Sequence, residues 1–162
     1  MRPRVYVETT IPSFYHEART APAIVARRAW TRQWWDESPD RYERVTSAAV
    51  LRELADGPAD RSAEWLALVA GLPLVPITPA VTDIVSTYIS RRLMPADPTG
   101  DAMHVALASY HKCDFLLTWN CLHLANANKF AHLRRVNGLL GLFVPAVVTP
   151  LELLGGADDA DQ

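Results

Sequence analysis

Short runs of β-branched and aromatic residues alternate with longer helical stretches along this chain, and proline marks most of the junctions. Nothing else in the sequence restricts the fold as much. Strands separated from one another by helices cannot close as hairpins. They must pair in parallel, in a sheet with helices packed against it.

The first such run is Arg4-Val5-Tyr6-Val7, which suits a buried strand and stops at Glu8-Thr9-Thr10-Ile11-Pro12-Ser13. A helix is predicted from about Ala23 to Glu37, with Trp30 and Trp34 at i, i+4 and Trp35 beside them. Arg41 to Thr46 reads as a second strand. Ser47 is then an N-cap for a helix through Leu54, closed by Gly57-Pro58, and another helix covers about Ser62 to Ala70. Leu74-Val75-Pro76-Ile77 is a third strand. Pro79 starts a helix whose Val81, Ile84, Val85, Tyr88, Ile89 and Leu93 recur at helical spacing. An Ala-rich central helix follows from Thr99 to Lys112, then a strand ending at Trp119. A polar helical stretch from about Asn126 to Leu142 precedes the last strand, Ala146-Val147-Val148, which lies between Pro145 and Pro150.

Proline removes a ladder donor and is tolerated mainly at sheet edges. The third and fifth strands are therefore the predicted edges, and the first and fourth are central. With no internal repeat and no second domain, residues 1–154 read as one domain. Residues 155–162, opening on Gly155-Gly156, read as a disordered tail. At 162 residues, 49% apolar and 21% charged, the chain can build a core without disulfides or metal staples.

Sixteen basic and 18 acidic side chains leave a formal charge of −2, which excludes a strongly basic nucleic-acid-binding domain. Fourteen of the basic residues are Arg, a bias that either phosphate recognition or a GC-rich genome produces. No apolar run approaches the ~18 residues of a membrane span, and no signal-peptide core opens the chain, so a cytoplasmic protein with no membrane contact is expected. Cys113 and Cys121 bracket a strand that holds them on the order of 20 Å apart, too far for a disulfide. The same separation undermines a zinc site built from His111, Cys113, Cys121 and His123.

Glycine-rich phosphate loops, G-x-S-x-G and H-E-x-x-H are all absent. What remains informative is a set of polar groups where the pattern calls for apolar ones. Glu8 ends the first strand, Glu53 sits within the Val50-Leu51-Leu54 helix, and Asp101 opens the central helix with His104 one turn on. Ligands of parallel sheets bind beyond the carboxyl ends of the strands. If the first and fourth strands are neighbours, Glu8 and Asn120 emerge side by side there. Plainer readings exist: Asp101 complements a helix dipole, Glu53 is solvated, His104 is a hydrogen-bonded core residue, and Asn120, His123 and Asn126 line a turn.

In order and spacing, four segments resemble the PIN-domain family. They are Val7-Glu8-Thr9-Thr10, Ser47 followed by Glu53, Gly100-Asp101-Ala102-Met103-His104-Val105-Ala106, and Asp114 to Asn120. The resemblance runs from about Arg4 to Leu154. It is closest to a VapC-like toxin subgroup with Glu-Thr-Thr-Ile-Pro-Ser (Glu8 to Ser13), Leu-Leu-Thr-Trp-Asn (Leu116 to Asn120), His-Leu-Ala-Asn (His123 to Asn126) and Thr-Pro-x-Glu-Leu (Thr149 to Leu153). It implies an α/β fold of three layers, α/β/α, with a central parallel sheet of about five strands in the order 3-2-1-4-5.

The implied function is that of a metal-dependent endoribonuclease, the toxin of a type II toxin–antitoxin pair. Its partners would be RNA, an antitoxin protein and a second copy of the chain, with the Trp30–Trp35 stretch as a candidate interface. The implied catalytic set is Glu8, Glu53, Asp101 and Asn120, supported by Thr10, Ser47, His104 and Thr118. Glu8 and Asp101 would hold Mg2+ or Mn2+, hard cations that want carboxylate oxygens. Arg27, Arg28, Arg91 and Arg92 are candidate RNA contacts. Two positions depart from the common family pattern. Glu8 replaces Asp and moves its carboxylate out by ~1.5 Å, and Asn120 replaces a fourth acid. Both predict weaker metal binding, with a preference for the more permissive Mn2+. A second reading follows from them: a PIN-like module that binds RNA or a protein without cutting.

Overall fold

The computed structural model of the chain describes residues 1–91, 100–121 and 124–160. Strand β1 (Arg4–Val7) is followed by helices α1 (Thr10–Tyr15) and α2 (Pro22–Glu37), then strand β2 (Glu43–Val45). Helices α3 (Ala48–Ala55), α4 (Ala59–Val69), α5 (Pro79–Ser90) and α6 (Asp101–Tyr110) lead to strand β3 (Phe115–Leu117). Helix α7 (Ala127–Leu140), strand β4 (Ala146–Val148) and helix α8 (Pro150–Ala160) complete the chain. No described helix is long and apolar enough to cross a membrane.

All strand pairs are parallel, in the order β2-β1-β3-β4. Val5, Tyr6 and Val7 point alternately to the two sides of the sheet, yet all three are fully buried, so helices cover both faces. β1 and β3 are the central strands, as their freedom from proline predicts.

The third of the five expected strands, over Leu74 to Ile77, does not form. The sheet has four strands, and Leu74 makes only an isolated parallel bridge to Thr46. Two backbone hydrogen bonds hold it, Thr46 N–H to Pro73 O and Val75 N–H to Thr46 O. The ladder stops there because the chain passes from Thr46 into Ser47, the N-cap of α3, so no extended backbone remains beside Pro76 and Ile77. The segment sits at the β2 edge, but it is a contact rather than a strand.

Local capping explains where several helices start. The Ser47 hydroxyl accepts from Val50 N–H, Thr78 from Val81 N–H just before Pro79, and Asn126 Oδ1 from Asn128 N–H. Helix α1 was not expected. Its six residues follow Glu8 directly, and Pro12 occupies the first turn, where its missing N–H costs nothing. Helix α8 continues through Gly155-Gly156 to Ala160, into the stretch the sequence reading assigns to a tail.

Between α5, α6 and α7 lies a buried neutral network. Tyr88 donates to Asn137 Oδ1 at 2.6 Å, and the Asn137 amide donates to Ser109 Oγ and to Phe143 O. Much of the aromatic stretch of α2 packs within the chain. Trp34 and Trp35 are buried, and Trp30 stacks on Trp119 with ring centroids 6.2 Å apart. Cys113 and Cys121 are both free thiols.

Candidate metal and phosphodiester site

Strand register assembles the crevice. Val7 pairs with Leu117, and Tyr6 pairs with Val45 and with Leu116. One residue on, Glu8 therefore lies between Thr118, just past the end of β3, and Ser47, just past the end of β2. This corrects the expectation that Asn120 is the direct neighbour of Glu8: that neighbour is Thr118, and Asn120 stands two residues beyond.

Glu8 is 5% exposed. Its Oε2 accepts from the Thr118 hydroxyl at 2.8 Å, the Thr10 hydroxyl at 2.5 Å and the Thr10 N–H at 3.1 Å. Three donors to one oxygen favour the ionised form, and His104 adds to them. Burial nevertheless dominates and holds the Glu8 pKa above the usual carboxylate range.

Helix α3, started by Ser47, carries Glu53 to the same place. Its Oε1 meets His104 Nε2 at 2.8 Å, and its Oε2 accepts from the Thr9 hydroxyl. Beneath them, Tyr6 Oη lies 2.8 Å from His104 Nδ1 and 2.7 Å from Ser47 Oγ. Burial alone would lower the His104 pKa. The bond to Glu53 and the charges of Glu8, Glu53 and Asp101 outweigh it, and the pKa is raised. With both ring nitrogens protonated, the chain of donors runs consistently from His104 to Glu53 on one side and to Tyr6 on the other.

Single ligand atoms of Glu8, Glu53 and His104 all lie within 4.8 Å of one another. Asp101 opens α6 one turn before His104, and the Asn120 amide reaches both its carboxylate oxygens at 3.4 Å. Two carboxylates from separate elements, with a third acid nearby, suit a hard divalent cation that keeps some of its waters. His104 faces Glu53 at 2.8 Å, and its raised pKa favours the cationic form, in which it acts as a counter-charge rather than as a ligand. The donor set fits Mg2+ or Mn2+.

Of the predicted residues, Glu8, Glu53, Thr10, Thr118, Ser47 and His104 form one connected group, with Asp101 and Asn120 as a pair at its side. The arginines divide. Arg27 lies beside Trp119, next to the crevice. Arg28 is committed to Glu17 O, and Arg91 is an exposed cap of α5. Arg92, His123 and the predicted helix start at Thr99 lie outside the described residues. Sequence reasoning missed Tyr6 and Thr9. Tyr6 precedes Glu8 by two in a strand and so shares its face, a signal hidden inside an apolar run. Thr9 lies between Glu8 and Thr10, and nothing in the local sequence marks it as a partner of Glu53.

The model of the PIN-domain family matches residues 5–120, from β1 to the end of the crevice. The chain belongs to the PIN family. All four acidic and amide positions at the crevice of this PIN domain fall within the matched span. The fold is also similar to that in the crystal structure of FitAcB from Neisseria gonorrhoeae. The TM-score is 0.53 at 17% identity, over 91% of this chain and 98% of the other. No curated protein matches the chain significantly. PIN domains are generally metal-dependent nucleases, and a buried acidic group able to hold such a metal is present here.

Proposed function

We propose that this PIN domain is a metal-dependent endoribonuclease, acting as the toxin of a type II toxin–antitoxin pair. The observation that carries the nuclease reading is the convergence of Glu8 and Glu53, from two different elements, on one crevice at the carboxyl ends of the central strands. Bound Mg2+ or Mn2+ would supply charge stabilisation at the phosphoryl oxygens and an acidified water. Glu8 and Asp101 would hold the metal directly or through water, and Glu53 would orient a water or a second ion. Thr10 and Thr118 fix the Glu8 carboxylate, and Asn120 does the same for Asp101. His104, anchored by Tyr6, keeps Glu53 in place and offsets part of the negative charge that an incoming phosphate meets.

The toxin role rests on the likeness to VapC-type PIN proteins, and with it come RNA as substrate, an antitoxin as partner and homodimerisation. The test is metal-dependent cleavage of RNA by the purified chain. Asp101→Ala should abolish cleavage while circular dichroism shows the fold intact; retained cleavage would overturn the site assignment. One observation favours the second reading, a PIN module that binds without cutting. Asn120 stands where the family's fourth acid falls, and it removes a charge. Calorimetry decides between them. If the wild type binds no Mn2+ at millimolar concentration while Asn120→Asp does, the non-catalytic reading holds.

A further inference from the structure

Helix α2 presents three arginines toward α1 and the β3 end, and they are not used alike. Arg28 Nη1 donates to Glu17 O at 3.1 Å, and Arg32 Nε donates to Tyr15 O at 2.8 Å. Both are structural ties between α2 and the end of α1. Arg27 makes no side-chain hydrogen bond or ion pair among the described residues. Its guanidinium instead lies 5.2 Å from the Trp119 ring centroid and 5.9 Å from that of Phe14.

Trp119 is itself immobilised. Its indole N–H donates to Thr31 Oγ1 at 2.7 Å, and its backbone N–H donates to Thr10 Oγ1 at 2.9 Å. Thr10 is the residue whose hydroxyl holds Glu8, and the neighbours of Trp119 in sequence are Thr118 and Asn120. Arg27 thus packs on a ring that is tied through Thr10 to Glu8.

We propose that Arg27 is a phosphate clamp: it binds a backbone phosphate of an RNA strand, beside the one that lies over Glu8 and Glu53. The guanidinium lies over the two rings and spends none of its N–H groups on a hydrogen bond or ion pair among the described residues, which leaves them available for a bidentate contact with a phosphate. Packing against Trp119 and Phe14 also restricts the side chain before RNA arrives, so less freedom is lost on binding. A strand approaching an acidic crevice needs such a cation at the rim. The proposal rests on the ribonuclease reading and names how that site grips its substrate.

The test is binding of a short single-stranded RNA of mixed sequence, followed by fluorescence anisotropy with Ca2+ in place of Mn2+ over a range of salt. Arg27→Met keeps the apolar stem and removes the charge. It should weaken affinity about tenfold for all sequences tested, and reduce the slope of log K against log salt by about 0.7. Mn2+ affinity without RNA should not change. Arg27→Gln is the second variant should Arg27→Met fail to fold. Arg28→Gln, which removes the same charge from the same helix, should do much less. Wild-type affinity and slope in folded Arg27→Met overturn the clamp, and so do equal effects from the Arg27 and Arg28 variants, which would mean a diffuse field. If the wild type cuts RNA but Arg27→Met is unaltered, only the clamp falls; if the wild type neither binds nor cuts RNA, the ribonuclease reading falls with it.

Discussion

Two glutamates of this chain are each only 5% exposed, and they meet that burial in opposite ways. Glu17, in the turn between α1 and α2, has a cation of its own. Arg19 grips both its oxygens at 2.9 Å, and the N–H groups of Ala18 and Arg19 add two more bonds. The hydrogen bond from Arg19 leads in lowering its pKa to about 2. Glu8, at the end of β1, has hydroxyls and a backbone N–H instead, and burial raises its pKa. No Arg or Lys pairs with it among the described residues. A carboxylate that supplies its own counter-charge is a finished structural element. One that is buried and oriented, with only His104 near it as a counter-charge, is the kind of group that the proposed metal ion would complete.

The comparison breaks most sharply on activity. Glu8→Gln should reduce metal-dependent RNA cleavage by more than about 100-fold, beyond what loss of an outer partner of a metal ligand costs. The folded protein should be as stable as wild type or more so, because the variant no longer buries a charge. Glu17→Gln should leave cleavage within twofold. Steady-state rates alongside urea titration check both halves, and equal activity loss in the two variants would erase the distinction. A subtler variant probes the support beneath the site. Tyr6→Phe removes the hydroxyl that bridges Ser47 and His104, and should weaken Mn2+ binding by about tenfold, read by calorimetry.

The second expected difference is in metal-linked stability. A cation that binds only the folded state stabilises it by about 2.7 kcal/mol at one hundred times its dissociation constant. Mn2+ should therefore raise the melting temperature of wild type and of Glu17→Gln but not of Glu8→Gln. A matching rise in Glu8→Gln would place the ion elsewhere.

These two carboxylates also mark how far the sequence could be read. Glu8 was legible because a charged residue ends a run of buried strand residues, and the resemblance to the PIN family linked it to Glu53 and Asp101. The α/β class and the central position of β1 and β3 followed from strand-helix alternation and from proline. Glu17 was not legible. It sits in the polar stretch Glu17-Ala18-Arg19, and only the turn after α1 shows that its carboxylate is covered. The lost third strand has a similar cause: Leu74 to Ile77 has strand composition, but its neighbour β2 turns into α3 directly after Thr46 and leaves it nothing to pair with. Thr118 rather than Asn120 beside Glu8 is a matter of register, which single-strand patterns do not encode.

For Glu17 at neutral pH, the contribution is smaller than a shift to about 2 suggests. Arg19 is 63% exposed, so solvent screens the pair, and Glu17→Gln should cost only a small part of what that shift implies.

The finest separation is in pH. Glu17 has a folded value of about 2 against an ordinary 4.5. Its stabilisation is therefore complete above 4.5 and is lost as pH falls from there through about 2. Glu8 has the opposite sign. Its folded value lies above the ordinary 4.5, so its ionisation penalises the folded state at neutral pH, and the penalty is relieved as pH falls through the raised value. In the metal-free protein, replacing Glu17 by Gln should flatten the loss of stability between pH 4.5 and about 2. The advantage of Glu8→Gln over wild type should instead be greatest at neutral pH and shrink on acidification. Urea midpoints measured across this range read both slopes at once. Parallel profiles for the two variants would mean that Glu8, like Glu17, already has a counter-charge, and the case for a cation at the end of β1 would lose its electrostatic basis.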